Sequence, residues 1–241
     1  MDKRVKPIFK ILFDQKQIYK VNIPYIDIHT HHPQISEEIL TIQSLFLQDI
    51  DLQKDIKFQF SAAIHPWHAT KFTQEQVRAM LEKLANQPEL IAIGETGLDK
   101  VCAADYQRQK ILFELHLEFA EKYHKPVIIH AVKSWNELMG YLKMANIPVI
   151  LHGYSAGKEL TKQLIGLGCY FSVGKSILNI SPDFREAIQT IPLTSLFLET
   201  DDSPATIIEI YTEVSKVLGL LPDELKIQIY ENFKLMFSKS L

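Results

Sequence analysis

The chain has 241 residues, of which 46% are hydrophobic and 23% charged, with a formal net charge of −3 at pH 7. This composition supplies enough apolar material for a packed core and excludes an intrinsically disordered chain. The slight negative charge argues against a surface built throughout to hold nucleic acid, since such domains are usually strongly basic.

The N-terminal segment, residues 1–23, alternates weakly between apolar and polar residues, and we interpret it as an appendage or arm. Its apolar residues are interrupted by Lys, Asp and Gln, so it lacks the apolar stretch of roughly 7–15 residues found in signal peptides. No apolar run in the chain reaches the roughly 20 residues that a membrane span needs. The two cysteines, Cys102 and Cys169, have no paired spacing. We therefore expect a cytoplasmic protein that has no membrane partner.

Short β-rich runs alternate with amphipathic segments from Pro24 onward. This alternation indicates parallel strands joined by right-handed crossovers, and its regularity favours a TIM (β/α)8 barrel over an open sheet. An eighth strand has to come from 38–48, so we expect an irregular or shortened unit around 33–57. No boundary interrupts the pattern, and we predict one domain over 1–241. The predicted strands are 24–28, 57–64, 90–94, 126–129, 148–151, 168–173 and 195–198, and the predicted helices are 74–86, 106–123, 135–145, 158–167, 183–190, 206–218 and 223–238.

The first predicted strand ends in a pair of histidines, His29 and His31. Because side chains alternate in an extended segment, both imidazoles point to the same face. Such a pair at a strand end can chelate one metal ion. The alternative interpretation is a turn that contains two incidental histidines.

Similar residues follow other predicted strands. Glu95 comes directly after the strand 90–94, and His130 and His152 each end an apolar strand. Taken singly, Glu95 is explained equally well as a helix cap, and each histidine as a core-edge side chain bonded to backbone. The strand 195–198 is followed by two acids, Glu199 and Asp201, one of which could instead cap the next helix.

The carboxyl ends of the strands form the active-site face of an α/β barrel. Explaining these residues separately would require the same coincidence on five strands, so we favour one shared site. Four imidazoles and two carboxylates suit two divalent cations, with a carboxylate able to bridge them. Such a pair lowers the pKa of a bound water and polarises a phosphoryl or carbonyl oxygen, which is the chemistry of hydrolysis. An Asp ligand that touches this water can take its proton.

The ordered motifs of the chain resemble the TatD-like metal-dependent hydrolases, a deoxyribonuclease family of the amidohydrolase superfamily. The resemblance is collinear over most of the chain, and it implies a TIM barrel with two divalent metal ions, Zn, Mn or Mg. The motifs that carry it are Asp27–His31, His65–His68, Gly94–Asp99, Pro126–His130, Leu151–Ser155, Leu198–Asp201 and Asn232–Phe237.

The same resemblance implies roles for individual residues. His29, His31 and Asp201 would hold the first metal ion, His130 and His152 the second, and Glu95 would bridge the two. Asp201 would also be the catalytic general base. His65 would lie on the substrate side, where it could contact a phosphate oxygen.

The implied substrate is a DNA end, whose phosphodiester bonds would be hydrolysed. The alternative is an amidohydrolase or esterase that acts on a small molecule or an aminoacyl-tRNA, because a fold-level match does not decide the substrate. A barrel that binds a metal or a partner without catalysis is a third hypothesis.

Two departures from the family pattern bear on the substrate. His130 is followed by Ala131–Ser134 where many relatives carry an Arg-Asp pair, so a basic anchor is lost or moved to Lys133. Tyr154 adds a phenol after His152, and we predict that it either stacks on a substrate base or covers the barrel mouth.

Overall fold

Eight parallel strands form the barrel in a computed structural model that describes residues 23–33, 36–51 and 57–237. Each strand pairs with the next in chain order, from the first to the eighth. The strands are β1 (Tyr25–Thr30), β2 (Ile39–Phe46), β3 (Phe60–Ala63), β4 (Leu90–Asp99), β5 (Val127–Val132), β6 (Val149–Leu151), β7 (Tyr170–Val173) and β8 (Leu196–Leu198).

Helices connect the strands from β3 onward, as the apolar periodicity predicts. They are α1 (Gln74–Leu84), α2 (Tyr106–Lys122), α3 (Trp135–Leu142), α4 (Lys158–Gly166), α5 (Pro182–Thr190), α6 (Ile207–Leu218) and α7 (Pro222–Phe237). Short 3-10 helices cover Leu47–Asp49, Pro66–His68, Lys175–Asn179 and Leu193–Ser195. The observed ends differ from the predicted ones by up to three residues, because hydrogen bonding at a helix end depends on the local cap.

The barrel closes where β1 meets the segment that follows β8. Thr30 and Asp201 form a parallel bridge, the Asp201 amide donates to the His29 carbonyl at 2.9 Å, and the His31 amide donates to the Asp201 carbonyl at 3.0 Å. The closure therefore brings the end of β1 next to the segment after β8, and both carry predicted ligands. It confirms the predicted TIM-barrel class.

The eighth predicted strand exists and is β2, within the segment 38–48. The unit around it is irregular as expected: in the described residues between β1 and β3, the only helix is the 3-10 turn Leu47–Asp49. Most of the side chains of β2 are half-buried. One face of β2 is thus free to line a cavity.

Local signals explain where the longer elements start and stop. Thr206 and Glu209 form a capping box at the start of α6, each side chain accepting a hydrogen bond from the other residue's backbone amide. The helix ends at Gly219, whose φ of +68° is the left-handed conformation that glycine adopts without a Cβ clash. α6 then buries Tyr211, whose hydroxyl donates to the Ile26 carbonyl at 3.2 Å and so anchors the helix to β1.

The core lies between the strands and the helices that surround them. It includes Ile26, Phe60, Phe113, Phe171 and Phe197, all buried. No helix among the described residues combines the length and apolarity needed to cross a membrane. The predicted N-terminal arm lies outside the described residues, apart from residue 23.

Candidate metal centre

A cavity of about 900 Å³ opens at the carboxyl ends of the strands. This is the edge of the barrel where the sequence predicts the site. Its wall includes most of the predicted ligands, together with residues of β2 and of the segments after β3, β7 and β8. The titratable residues that line it are His31, His32, Asp49, Asp51, His65, Glu95, His130, His152, Lys175, Asp201 and Asp202.

The Glu95 carboxylate is the centre of the site. Its Oε1 lies 2.6 Å from His130 Nδ1, 2.8 Å from His152 Nε2 and 3.1 Å from His65 Nε2. Glu95 is buried in β4, next to the irregular pairing with β5 between Ile93 and Thr96. At this point of the strand, three imidazoles from three segments reach one carboxylate oxygen.

The second oxygen of Glu95 faces the histidine pair of β1. Oε2 lies 3.4 Å from His29 Nε2 and 3.6 Å from His31 Nε2. Asp201 Oδ1 approaches the same two nitrogen atoms, at 3.7 Å from His29 Nε2 and 3.8 Å from His31 Nε2. Glu95 therefore lies between two groups of imidazoles, with Asp201 completing the first.

The donor set fits divalent cations. Three groups of His, Glu and Asp have ligand atoms within 4.8 Å of one another: His29 with Glu95 and His152, His29 with His31 and Asp201, and His65 with Glu95 and His130. His29 is fully buried, and neither of its ring nitrogens makes a hydrogen bond within the described part of the chain. A buried polar group without a partner is costly, so a metal ion is the ligand that this imidazole fits.

Glu95 and His152 shift each other's titration strongly. Burial acts to raise the pKa of Glu95, but the charge of His152 and hydrogen bonds from His130 and His152 hold that pKa well below its ordinary value. Burial likewise acts to lower the pKa of His152, yet the charges of Glu95 and Glu199 raise it well above the usual range. The site thus stabilises Glu95 as a carboxylate anion, the state that a bridging metal ligand needs.

Two acids behind the histidines were given no role in the sequence analysis. Glu199 is fully buried, and its Oε1 lies 3.3 Å from His152 Nδ1. Asp99 is also buried, and its Oδ2 lies 3.4 Å from His130 Nε2. Each imidazole therefore has a carboxylate on the side away from Glu95, an arrangement that fixes ring orientation in metal sites. The available signal was their position in the motifs Gly94–Asp99 and Leu198–Asp201.

Asp27 supports the barrel closure beneath the site. Its carboxylate accepts hydrogen bonds from the Thr200 amide at 3.0 Å and the Thr200 hydroxyl at 2.6 Å. Burial raises the pKa of Asp27 to about 7, even though the hydrogen bonds from Thr200 act against this shift. These bonds tie β1 to the segment after β8 and so hold His29 beside Asp201.

Aromatic side chains form one wall of the cavity. Phe46 lies at the end of β2, with its ring centroid 5.5 Å from that of His31. Trp67 lies after β3, with its ring centroid 4.6 Å from that of His65, and is 56% exposed. Phe58 also lines the cavity and is exposed. Lys175 also lines the cavity and forms an ion pair with Asp202.

The structure places the two remaining sequence candidates away from the cavity. Tyr154 is buried, its hydroxyl lies 2.7 Å from the Thr161 hydroxyl, and its ring packs edge-on against Phe171. The phenol points toward α4 because Thr161 offers it a buried hydrogen-bond partner. Lys133 is exposed and does not line the cavity, whereas Lys175 does. Of the substrate residues predicted from the sequence, His65 lines the cavity and Tyr154 does not.

Sequence comparisons with known proteins point to one family. Residues 40–238 match the family described as TatD related DNase. An uncharacterized metal-dependent hydrolase TatD of Mycobacterium tuberculosis is 29% identical over 61% of this chain and 59% of that protein. The uncharacterized metal-dependent hydrolase YcfH of Escherichia coli is 26% identical over 80% of this chain and 78% of that protein. The match thus spans less than two thirds of the mycobacterial relative.

Solved structures show the same fold. The crystal structure of the TatD homologue YjjV from Escherichia coli superposes with a TM-score of 0.75 at 24% identity, covering 90% of this chain and 99% of that one. A TatD family hydrolase from Entamoeba histolytica superposes with a TM-score of 0.73 at 17% identity, covering 89% and 98%. The family match covers β2 to α7, which includes Glu95, His130, His152 and Asp201. The chain belongs to the TatD-related DNase family.

Proposed function

We propose that this protein is a metal-dependent hydrolase that cleaves phosphodiester bonds at DNA ends. The observation that carries the proposal is the position of Glu95, buried between the imidazoles of His29 and His31 on one side and of His130 and His152 on the other. A carboxylate with imidazoles on both oxygens suits a bridge between two cations. The match to a family described as TatD related DNase supports the DNA substrate.

The proposed ligands divide into two groups that share Glu95. His29, His31 and Asp201 would hold one ion, and His130 and His152 the other. Zn and Mn suit this mixture of imidazole and carboxylate ligands, and Mg is accepted where carboxylates dominate. Bound there, the ions would supply positive charge that polarises a phosphoryl oxygen and lowers the pKa of the attacking water.

Asp201 is the proposed general base. Its carboxylate lines the cavity and lies beside His29 and His31, so it can accept a proton from a water molecule that attacks from the open side. Backbone hydrogen bonds to β1 hold Asp201 in place at the barrel closure. His65 faces the same cavity and is the proposed contact to a phosphate oxygen.

The test is hydrolysis of end-labelled single-stranded DNA by metal-stripped protein that is supplied again with Mg, Mn or Zn. We expect stepwise loss of terminal nucleotides that depends on the metal and is abolished by Asp201→Asn. Asp202→Asn is the matched control, because Asp202 lines the same cavity but is outside the proposed ligand set. Full activity of Asp201→Asn would overturn the proposed mechanism.

A second candidate is hydrolysis of an ester or amide in a less anionic substrate. The observation that favours it is the charge of the cavity wall, where the described residues include five carboxylates, Asp49, Asp51, Glu95, Asp201 and Asp202, and one lysine, Lys175. A long polyanion would meet repulsion from the acids farthest from the proposed ligands. If the wild type binds about two metal ions but leaves DNA intact, turnover of an ester and amide panel would establish this activity.

A further inference from the structure

We propose that Asp99 is a positioning residue that orients His130 toward Glu95 and holds the exposed Trp67 indole as a fixed wall of the cavity. The inference rests on the proposed metal site, since it assigns to Asp99 the task of presenting one of its ligands. It adds a role to a residue that is neither a ligand nor a substrate contact.

Both oxygens of Asp99 are engaged by N–H groups. Oδ1 accepts hydrogen bonds from the amides of Val101 at 2.7 Å and Cys102 at 3.2 Å. Oδ2 accepts one from Trp67 Nε1 at 2.8 Å and faces His130 Nε2 at 3.4 Å. One carboxylate therefore connects the turn after β4, the segment after β3 and the end of β5.

Gln109 of α2 fixes the backbone of Asp99 itself. Its Oε1 accepts from the Asp99 amide at 2.8 Å, and its Nε2 donates to the Asp99 carbonyl at 2.9 Å. Gln109 is buried, so these bonds are sheltered from water. The carboxylate is thus held by the scaffold rather than by the residues it contacts, as a group that positions others must be.

The consequence for His130 concerns which ring nitrogen carries the proton. A neutral imidazole has one N–H and one lone pair, and the partner of one nitrogen decides the state of the other. If Nε2–H is directed at Asp99, 3.4 Å away, Nδ1 carries no hydrogen and its lone pair is available to an ion held beside Glu95. This is the state in which His130 can serve as a metal ligand.

The consequence for Trp67 is rigidity despite exposure. The indole is 56% exposed, yet its N–H is bound to a buried carboxylate and its ring packs edge-on against His65. Its ring centroid lies 6.2 Å from that of His130. These contacts hold the indole in one orientation at the cavity wall, so a bound ligand does not have to order it at a cost in entropy.

Asp99→Asn tests the inference because the substitution preserves size but replaces one oxygen by an NH2 group. Each oxygen of Asp99 faces two N–H groups, so either orientation of the amide sets a donor against donors. We expect zinc to bind 10–100-fold more weakly, the usual effect of removing such a partner. We also expect the indole N–H resonance of Trp67 to move upfield in proton–nitrogen spectra, where Trp67 and Trp135 are the two tryptophans of the chain.

Trp67→Phe is the matched control. It removes the indole donor but leaves Asp99 facing His130, so it should keep zinc affinity within about twofold and identify the Trp67 resonance by its absence. Zinc affinity and an indole resonance in Asp99→Asn that both equal those of the wild type would overturn the inference. Failure of the proposed metal site is a separate result, namely a wild type that binds no zinc.

A measurement on the wild type keeps the inference testable if Asp99→Asn does not fold. In zinc-loaded protein with labelled histidine, the ring nitrogens of His130 report which of them carries hydrogen. We expect the proton on Nε2. A proton on Nδ1 in the zinc-loaded protein would show that Asp99 does not set the state of His130.

Discussion

The buried Glu199 carboxylate lies directly behind His152. Its Oε1 is 3.3 Å from His152 Nδ1, while His152 Nε2 on the far side of the ring is 2.8 Å from Glu95 Oε1. The same Glu199 oxygen accepts a hydrogen bond from the Gly153 amide at 2.6 Å. Glu199 thus fixes both the ring of His152 and the turn that follows it, and it leaves Nε2 free to face Glu95.

Replacing Glu199 should weaken metal binding, and by how much should depend on the substitution. Glu199→Gln keeps an oxygen for Gly153 and His152 but loses the charge, so we expect about tenfold weaker zinc binding. Glu199→Leu removes the acceptor as well, and we expect about 100-fold. Competition titration against a zinc-binding dye measures both. Equal affinity in the wild type and both variants would exclude the positioning role.

Gly97→Ala should destabilise the barrel beside the site. Gly97 has a φ of +145°, and a Cβ there would overlap the His130 carbonyl oxygen. Because this neighbour is backbone, β5 would have to move, at a cost of about 2 kcal/mol or more in unfolding free energy. Urea unfolding measures the change.

Gly140→Ala is the control for that substitution. A Cβ at Gly140, within α3, meets no described atom within 4 Å. We expect it to be neutral or to stabilise by about 1 kcal/mol, since alanine is the better helix former. If both variants lose the same stability, the close approach of Gly97 to His130 is not the cause.

His116 should make stability depend on pH. It is fully buried, its Nε2 accepts from the Ile64 amide at 3.0 Å, and burial lowers its pKa to about 4. In the unfolded chain the histidine has its ordinary pKa and binds a proton that the folded chain does not bind. The free energy of unfolding therefore has its full value above about pH 6.5 and falls as the pH drops toward 4. Between pH 7.5 and pH 5 we expect a loss of about 2 kcal/mol from this residue.

Urea unfolding of metal-stripped wild type and His116→Gln at these two pH values isolates the contribution. The variant should be less stable at pH 7.5, because glutamine does not fill the space of the buried ring and loses the hydrogen bond from Nδ1 to the Leu112 carbonyl, yet it should lose less stability on acidification. The other histidines titrate in both proteins and cancel in the difference. Parallel losses in the two proteins would show that His116 does not remain neutral when folded.

Lys175→Met should impair an anionic substrate more than a neutral one. Lys175 lines the cavity beside Asp202, so its charge lies near a bound anion. The loss of one charge-assisted contact should raise KM about tenfold. Lys133→Met is the control, because Lys133 is exposed and outside the cavity wall. A higher KM in the Lys133 variant alone would show that Lys133 is the basic anchor, as the sequence suggested.

Tyr154→Phe should change stability rather than substrate binding. Its hydroxyl is buried and lies 2.7 Å from the Thr161 hydroxyl. Loss of this hydrogen bond should cost about 1 kcal/mol in unfolding free energy and leave KM unchanged. Thr161→Val removes the same bond from its other end and should cost a similar amount. A raised KM in Tyr154→Phe alone would show that the phenol reaches the substrate.

The fold class could be predicted from the sequence because its causes are local. Apolar runs such as Val127–Ile129 are too short and too uniformly apolar for anything but buried strands, and helices such as 106–123 repeat their apolar residues at helical spacing. The region around 33–57 was harder, because β2 lacks a described α-helix on either side and its half-buried face gives no clear period. The strand count indicated that one strand was missing there, since seven strands were legible and a TIM barrel needs eight.

The sequence by itself determined which residue types lie at the ends of the strands, because chain order places His29, Glu95, His130, His152 and Asp201 there in any parallel barrel. Only the tertiary structure decided which atoms face one another. The assignment of Asp99 to His130, of Glu199 to His152 and of Tyr154 to Thr161 depends on side-chain directions across separate strands and helices. Local periodicity carries no information about those directions, since they are set by the closure of the barrel and the packing of the helices around it.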